Sequence, residues 1–118
     1  MSGDISVSTE YVWPTSTVLS WWVVEYLKEQ VPDESVWAYA DQAGFDVLHN
    51  FRVYDLPEPG RHEVLRVLAE EVSEAYGAWA RERRAQSEAH IVHEVHQLEI
   101  LAMMAAEVLR ELDEGSAG

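Results

Sequence analysis

The chain has 118 residues, and its 22 acidic and 8 basic side chains give a formal net charge of −14 at pH 7. Because binding to nucleic-acid phosphates needs clustered positive charge, this balance argues against direct binding of that kind. The absence of cysteine excludes disulfides, thiolate zinc sites and thiol nucleophiles. At this length and with 47% hydrophobic residues, the chain is expected to form one domain, residues 1–118.

Apolar runs are short throughout the sequence. None approaches the roughly 18 residues that a membrane span needs. The N-terminus also lacks the basic-then-apolar pattern of a secretory signal. We therefore expect a cytoplasmic protein that makes no contact with a membrane.

The N-terminal half begins with a pattern typical of a strand. Residues 5–13 alternate between β-branched or aromatic and polar side chains, which predicts one half-buried strand that ends at Pro14. A helix is predicted next, capped by Thr15 or Ser16 and ended by Pro32. This helix is apolar on more than one face, as in helices that are central or shared with a second subunit.

A shorter helix and a second strand are predicted before the middle of the chain. Asp33 or Ser35 starts the helix, and Gly44 is placed to cap its C-terminus. Residues 45–53 alternate again, which favours a second strand paired with the first, although a continued helix is an alternative. Two prolines and a glycine in residues 56–60 then break the chain.

The C-terminal half, residues 61–114, is predicted to be purely helical. It contains no proline and only one glycine, Gly77. Its apolar residues recur at spacings of three and four, which predicts that the first helix packs through positions that include Val72, Ala75 and Trp79. A turn near residues 84–88 would make an antiparallel helical hairpin. The alternative is one helix about 75–80 Å long, paired with a partner chain as a coiled-coil dimer. Residues 115–118 are expected to be a flexible tail.

The predicted fold class is therefore mainly α. It consists of a helical hairpin or bundle over residues 61–114 and an α+β half, residues 1–60, that contributes a small two-stranded β element.

Two pairs of oxygen-bearing side chains stand at matching positions in the two C-terminal helices. Glu71 and Glu74 lie three residues apart on the first helix, and Glu94 and Gln97 lie three apart on the second. Each pair flanks an apolar stripe position with the same offsets, so an antiparallel pairing would let the four side chains converge. Oxygen ligands of this kind suit Mg²⁺, which would neutralise phosphate charge and activate a water for hydrolysis.

The same residues carry a family resemblance. The sequence EEVSE at residues 70–74, followed after nineteen residues by EVHQ at residues 94–97, resembles MazG-type nucleoside triphosphate pyrophosphohydrolases. Their signature is E-E-x-x-E on one helix and E-x-x-D on the next. The resemblance covers about residues 61–112. It implies an all-α fold, a homo-oligomer, bound Mg²⁺, and hydrolysis of nucleoside triphosphates to the monophosphate and pyrophosphate.

Carried over by position, the resemblance gives Glu71 and Glu74 catalytic and metal-binding roles and makes Glu94 a further metal ligand. Gln97 stands where the family has Asp. An amide oxygen ligates Mg²⁺ without charge and cannot act as a base. The departure therefore implies weaker metal binding or a degenerate relative that only binds nucleotide. The N-terminal half with its strands is not expected of the minimal family fold.

These residues also have a plainer interpretation. Sixteen glutamates in one short chain make E-x-x-E frequent by chance, and solvated helix flanks favour glutamate. His93, Arg81 and Arg84 are weak candidates for contacting the phosphates of a nucleotide. The alternatives are that the arginines complement the C-terminus of their helix and that the histidines at positions 90, 93 and 96 form an exposed polar face.

The charge supports a second hypothesis, that of a non-enzymatic acidic interaction protein. An immunity protein, an antitoxin or an inhibitor that mimics nucleic acid would bind a basic protein partner through such a surface, with tryptophans as anchors. Residues 1–60 hold ten acidic and two basic side chains, whereas residues 61–118 hold twelve and six. The acidity is therefore not concentrated where the carboxylate motif lies.

Overall fold

The computed structural model describes residues 2–42, 50–83 and 87–117. It divides into two compact units, residues 1–65 and 66–118, with the division inside the third α-helix. In chain order the elements are β1 (Ser2–Ser6), β2 (Val12–Ser16), α1 (Thr17–Gln30), α2 (Glu34–Gln42), β3 (Asn50–Arg52), a 3₁₀ turn (Val53–Asp55), α3 (Gly60–Glu70), α4 (Val72–Arg83) and α5 (Glu88–Ala117). The mainly helical class is confirmed, and the sheet has three strands in place of the two predicted. No described helix has the length and apolar character needed to cross a membrane.

The predicted strand over residues 5–13 is wrong, because the chain reverses within it. β1 and β2 form an antiparallel hairpin. At its turn, the Val7 N–H donates to the Tyr11 carbonyl at 3.0 Å, and the Ser8 hydroxyl accepts from the backbone N–H groups of Glu10 and Tyr11. These hydroxyl contacts stabilise a turn that period-two alternation does not reveal.

The sheet has the strand order β2-β1-β3, with β1 antiparallel to β2 and parallel to β3. Pro14 lies within β2 and does not end it. β2 is an edge strand, where the missing proline N–H is tolerated. On the central strand, Ile5 is opposite Trp13 on one side and Phe51 on the other, and all three side chains are buried. The core of this unit is therefore built across the sheet.

Other predicted boundaries in the first unit hold. α1 begins directly after Ser16 and ends two residues before Pro32. Asp33 caps α2, since its Oδ1 accepts from the Ser35 N–H at 3.0 Å. β3 confirms residues 50–52 of the second strand and its pairing with β1. Gly44 and residues 45–49 lie outside the described residues.

The chain break at residues 56–60 is also confirmed, and α3 begins at Gly60, which packs closely against α2. A Cβ at this position would lie 2.0 Å from Val36 Cγ2, which no real contact allows. Only glycine fits here.

In the second unit, α4 and α5 form an antiparallel hairpin. Arg81 Nε, near the end of α4, donates to Glu88 Oε1, at the start of α5, at 2.9 Å. Further along, a Cβ on Gly77 would lie 3.3 Å from Val95 Cγ2. Because residue 81 meets residue 88 and residue 77 meets residue 95, the second helix runs back along the first. Of the two predicted arrangements, the structure has the hairpin.

Two details of the helical half differ from the prediction. α3 and α4 are separated at Glu71. In α4 the predicted position Val72 is buried, but burial then falls at Tyr76, Gly77 and Ala80, whereas Ala75 and Trp79 were predicted. Steps of three and of four both stay on one helical face, so spacing alone does not choose between these positions. α5 also continues through residues 115–117, which were expected to be a tail, because one glycine weakens a helix without ending it.

Candidate functional site

The first carboxylate pair lies around the separation between α3 and α4. Glu71 sits between the two helices and is half-buried. Its Oε2 accepts from Arg66 Nη1 at 3.2 Å, and the same nitrogen also bonds to Glu70 Oε2 at 3.2 Å. Glu74, in the first turn of α4, is exposed. One carboxylate of the predicted pair is therefore held by an arginine and the other faces solvent.

Glu94 lies on the side of α5 that packs in the core. It stands three residues after Ile91 and four before Leu98, both of which are buried, so all three share one face of the helix. Its side chain is only 12% exposed. We call this side the inner face of α5, and Glu94 is a carboxylate at a position where the helix pattern expects an apolar residue.

The Glu94 carboxylate is poorly satisfied. His90 Nε2 lies 2.7 Å from its Oε1, an ion pair when the imidazole is protonated. This approach lacks hydrogen-bond geometry, however, and within the described residues the solvent-shielded Oε1 accepts no hydrogen bond. Buried carboxylate oxygens normally have donors or bind cations, because losing water around a charge costs several kcal/mol, on the order of what an ion pair returns.

Gln97 and His93 form a second pair along the same helix. The Gln97 amide nitrogen lies 3.0 Å from His93 Nε2 and donates to it when that ring nitrogen is unprotonated. His93 itself is exposed. The predicted nucleotide contact at His93 is therefore accessible but already has a neighbour on its own helix.

The predicted ligands are divided among different partners. Glu71 is bonded to Arg66, Glu94 lies against His90, and Gln97 lies against His93. Within residues 2–42, 50–83 and 87–117, no three His, Asp or Glu side chains are grouped closely enough to hold a metal ion. The structure brings Glu94 and Gln97 beside histidines on α5. The four-residue metal site remains a prediction.

Of the two arginines predicted to contact a nucleotide, the structure describes only Arg81. Arg81 is bonded to Glu88 and joins the two arms of the hairpin, although both side chains are about half exposed or more. Arg84 lies outside the described residues. A neighbouring guanidinium, that of Arg83, lies 5.0 Å over the ring of Trp79. The described arginines of this segment thus already have partners at the surface.

Two features of α5 were missed by sequence reasoning, although their signals were present. Glu94 was assigned to a flank, yet its spacing from Ile91 and Leu98 already places it among core residues. Large apolar side chains also point to solvent on the opposite side, where Ile100 is 50% and Met103 is 72% exposed. Their three-residue spacing places them on one face.

Comparisons with protein-family models, with curated proteins and with solved structures found no match for this chain. Its function is therefore argued from its own residues.

Proposed function

We propose that the chain is a Mg²⁺-dependent hydrolase of nucleoside triphosphates, similar to MazG-type pyrophosphohydrolases, or a degenerate relative that binds nucleotide without hydrolysing it. The observation that carries the proposal is the Glu94 carboxylate on the inner face of α5, 12% exposed, with a shielded Oε1 that accepts no hydrogen bond among the described residues. A cation would compensate such an oxygen. Glu94 therefore fits the role of a metal ligand.

The proposed ligands are Glu71, Glu74 and Glu94, with the Gln97 amide oxygen as a neutral fourth. Glu71 lies between α3 and α4, Glu74 lies in the first turn of α4, and Glu94 and Gln97 lie on α5. The carboxylates are not grouped among the described residues, so metal binding would have to draw them together. When bound, Mg²⁺ supplies charge neutralisation for the phosphates and a water of lowered pKa. Among these residues only the carboxylates are able to accept a proton from that water, because an amide has no basic oxygen at neutral pH.

Phosphate contacts complete the proposal, with Arg81, Arg84 and His93 in weaker roles. Arg81 would have to exchange Glu88 for a phosphate oxygen. That exchange is cheap, because exposed ion pairs contribute only about 0–1 kcal/mol and the two side chains are 49% and 65% exposed. A cytoplasmic location and a homo-oligomer belong to the same proposal.

The test is pyrophosphate release from a panel of ribo- and deoxyribonucleoside triphosphates by the full chain with Mg²⁺. Glu94→Gln keeps the shape and removes the charge, and it is expected to lower release at least about 100-fold, since even residues that only support metal ligands cost 10–100-fold. Glu74→Ala should also abolish turnover without unfolding the protein, because Glu74 is exposed. Glu82→Gln, an exposed carboxylate of α4 outside the motif, is the matched control and should leave release unchanged.

The degenerate version has its own readout, which is Mg²⁺-dependent binding of nucleotide that is lost in Glu94→Gln and kept in Glu82→Gln. A wild-type chain that neither releases pyrophosphate nor binds nucleotide with Mg²⁺ would contradict both versions.

A second candidate function is a non-enzymatic interaction protein that binds a basic partner. The observation that favours it is the exposure of large apolar side chains on an acidic chain: Trp21 on α1 is 48% exposed, and Ile100 and Met103 on α5 are 50% and 72% exposed. Exposed apolar residues that occur together, as Ile100 and Met103 do on α5, are typical of interaction surfaces. In the first unit, Trp21 is of a residue type that is a frequent anchor in such surfaces.

A further inference from the structure

The side of α5 opposite its inner face combines apolar and acidic side chains. Its apolar members are Val92, Ile100 and Met103, which are 37%, 50% and 72% exposed. At 100° per residue these three fall within about 80° of the helix circumference. Glu107 lies in the same sector, together with His96, Arg110 and Glu114, and Glu99 and Glu111 lie about 20° beyond its two edges. We call Val92, Ile100 and Met103, with Glu99, Glu107 and Glu111, the outer face of α5.

The positive charge available on this face is already neutralised. The Arg110 guanidinium bonds to Glu107 and also to Glu114, at 2.7 Å. It holds the pKa of the Glu107 carboxyl below its usual range through this hydrogen bond. Glu99 and Glu111 are exposed, and neither forms an ion pair with another residue in the described part of the chain. The outer face is therefore apolar at its centre and negatively charged around it.

We propose that the outer face of α5 docks a basic amphipathic helix of a partner protein. The partner's apolar stripe would pack on Ile100 and Met103, and its lysines or arginines would lie against Glu99 and Glu111. This inference rests on the second candidate function and is independent of the hydrolase proposal.

Two properties of the outer face argue for this occupant. A helix presents apolar residues at i, i+3 or i+4, and i+7, which matches a surface that is itself built on one helix. Met103 adds an unbranched, polarisable side chain that adapts to different apolar partners.

Charge argues against a second copy of the chain on this face. Two copies would bring negatively charged faces together in a protein of net charge −14, and like charges across an interface disfavour association. A partner rich in lysine or arginine turns the same charge into attraction.

The first experiment measures binding of synthetic peptides to the full chain by calorimetry. The probe is a helical peptide of about 20 residues with leucines along one face and lysines elsewhere; its control is a scrambled peptide of identical composition. We expect the amphipathic peptide to bind about tenfold more tightly than the scrambled one, and its affinity to fall as salt is raised. Equal affinity for both peptides, or no binding, would overturn the inference.

Variants then locate the binding surface. Met103→Gln removes an apolar contact without changing charge, and it should weaken peptide binding about tenfold, as loss of a central anchor does. Val18→Gln is the matched control, because Val18 is an equally exposed apolar residue, at 75%, on α1 of the other unit. The affinity of the Val18→Gln variant for the amphipathic peptide should stay within about twofold of the wild-type value. Equal weakening by both substitutions would overturn the assignment to α5.

Two further results separate this inference from its rivals. The first is the oligomeric state in sedimentation. If the wild-type chain is a dimer that Met103→Gln dissociates, and the chain binds neither peptide, the outer face binds a second copy and the proposal is overturned. Glu94→Gln should retain peptide binding, so pyrophosphate release and peptide binding fail independently of each other.

Discussion

The inner and outer faces of α5 depart from the expected helix pattern in opposite directions. The inner face buries Leu98 and Leu101 but includes the Glu94 carboxylate, whereas the outer face exposes Ile100 and Met103 among glutamates. Along most of α5, apolar residues recur with the helical period and are buried. Residues that break this match are the first candidates for a function.

The two exceptions differ in what they cost. Surface apolar residues are common in folded proteins and cost the fold little. A largely buried carboxylate without a hydrogen bond to one oxygen costs several kcal/mol, on the order of its desolvation, unless a cation compensates it. The position of Glu94 is therefore stronger evidence for a site than the exposure of Met103 is for a partner.

The largest expected effect compares packing on the two faces. Leu98→Ala should lower the free energy of unfolding by about 2–5 kcal/mol, since it removes a fully buried side chain and leaves a cavity. Ile100→Ala should change it by no more than about 0.5 kcal/mol, because Ile100 is half exposed and alanine favours the helix. Urea unfolding of both variants measures these two changes. Similar losses of unfolding free energy would contradict the assignment of Leu98 to the inner face and Ile100 to the outer face.

Much of this helical unit could be predicted from the sequence. Apolar spacings of three and four residues were enough to predict its helical character and the hairpin that α4 and α5 form, but not the separation of α3 from α4 at Glu71. The shift of burial to Tyr76 and Ala80 could not be predicted, because neighbouring residues compete for one broad helical face.

The first unit shows the limit of local patterns more clearly. Pro32 and Asp33 end one helix and start the next through local chemistry, and both were predicted. The pairing of the second strand with the first was also predicted, and β3 confirms it. The reversal at Ser8 could not be predicted, because it depends on hydroxyl-to-backbone hydrogen bonds. Alternation indicates strands but not where the chain turns.

The role of the candidate site stays a prediction. The motif singled out Glu94 and Gln97, and the structure adds that His90 and His93 lie beside them through the i,i+4 geometry of one helix. The motif gave no indication that Arg66 would engage Glu71. Long side chains have many rotamers, so spacing restricts which groups are able to meet without selecting those that do.

The next prediction tests what Glu94 does on the inner face. Glu94→Leu should leave the free energy of unfolding unchanged or raise it by about 1 kcal/mol, because a well-packed apolar residue replaces a poorly satisfied charge. Pyrophosphate release should be lost in the same variant. Glu82→Leu, at an exposed position of α4, is the control and should not raise the free energy of unfolding. A large loss of stability in Glu94→Leu would instead give Glu94 a structural role.

The smallest expected effect concerns the charges of the outer face. The folded state holds the pKa of Glu107 below its usual range, because Arg110 hydrogen-bonds to the charged form. The unfolded chain therefore takes up the proton first as the pH falls. This contact stabilises the fold fully above the usual range of a glutamate pKa, about 4–5, and the stabilisation is lost as the pH falls through the lowered pKa of the folded state.

Glu107→Gln should accordingly lower the melting temperature slightly at neutral pH and leave it unchanged at a pH low enough to protonate the wild-type carboxyl in the folded state as well. Glu111→Gln is the matched control, since Glu111 is exposed and has no ion pair among the described residues, so its melting temperature should follow that of wild type at both pH values. The difference should be small because Glu107 and Arg110 are both solvent-accessible, and exposed pairs on one helix contribute little. A difference as large as that of Leu98→Ala would mean that the outer face supports the fold, and its acidic residues would then need no partner to account for them.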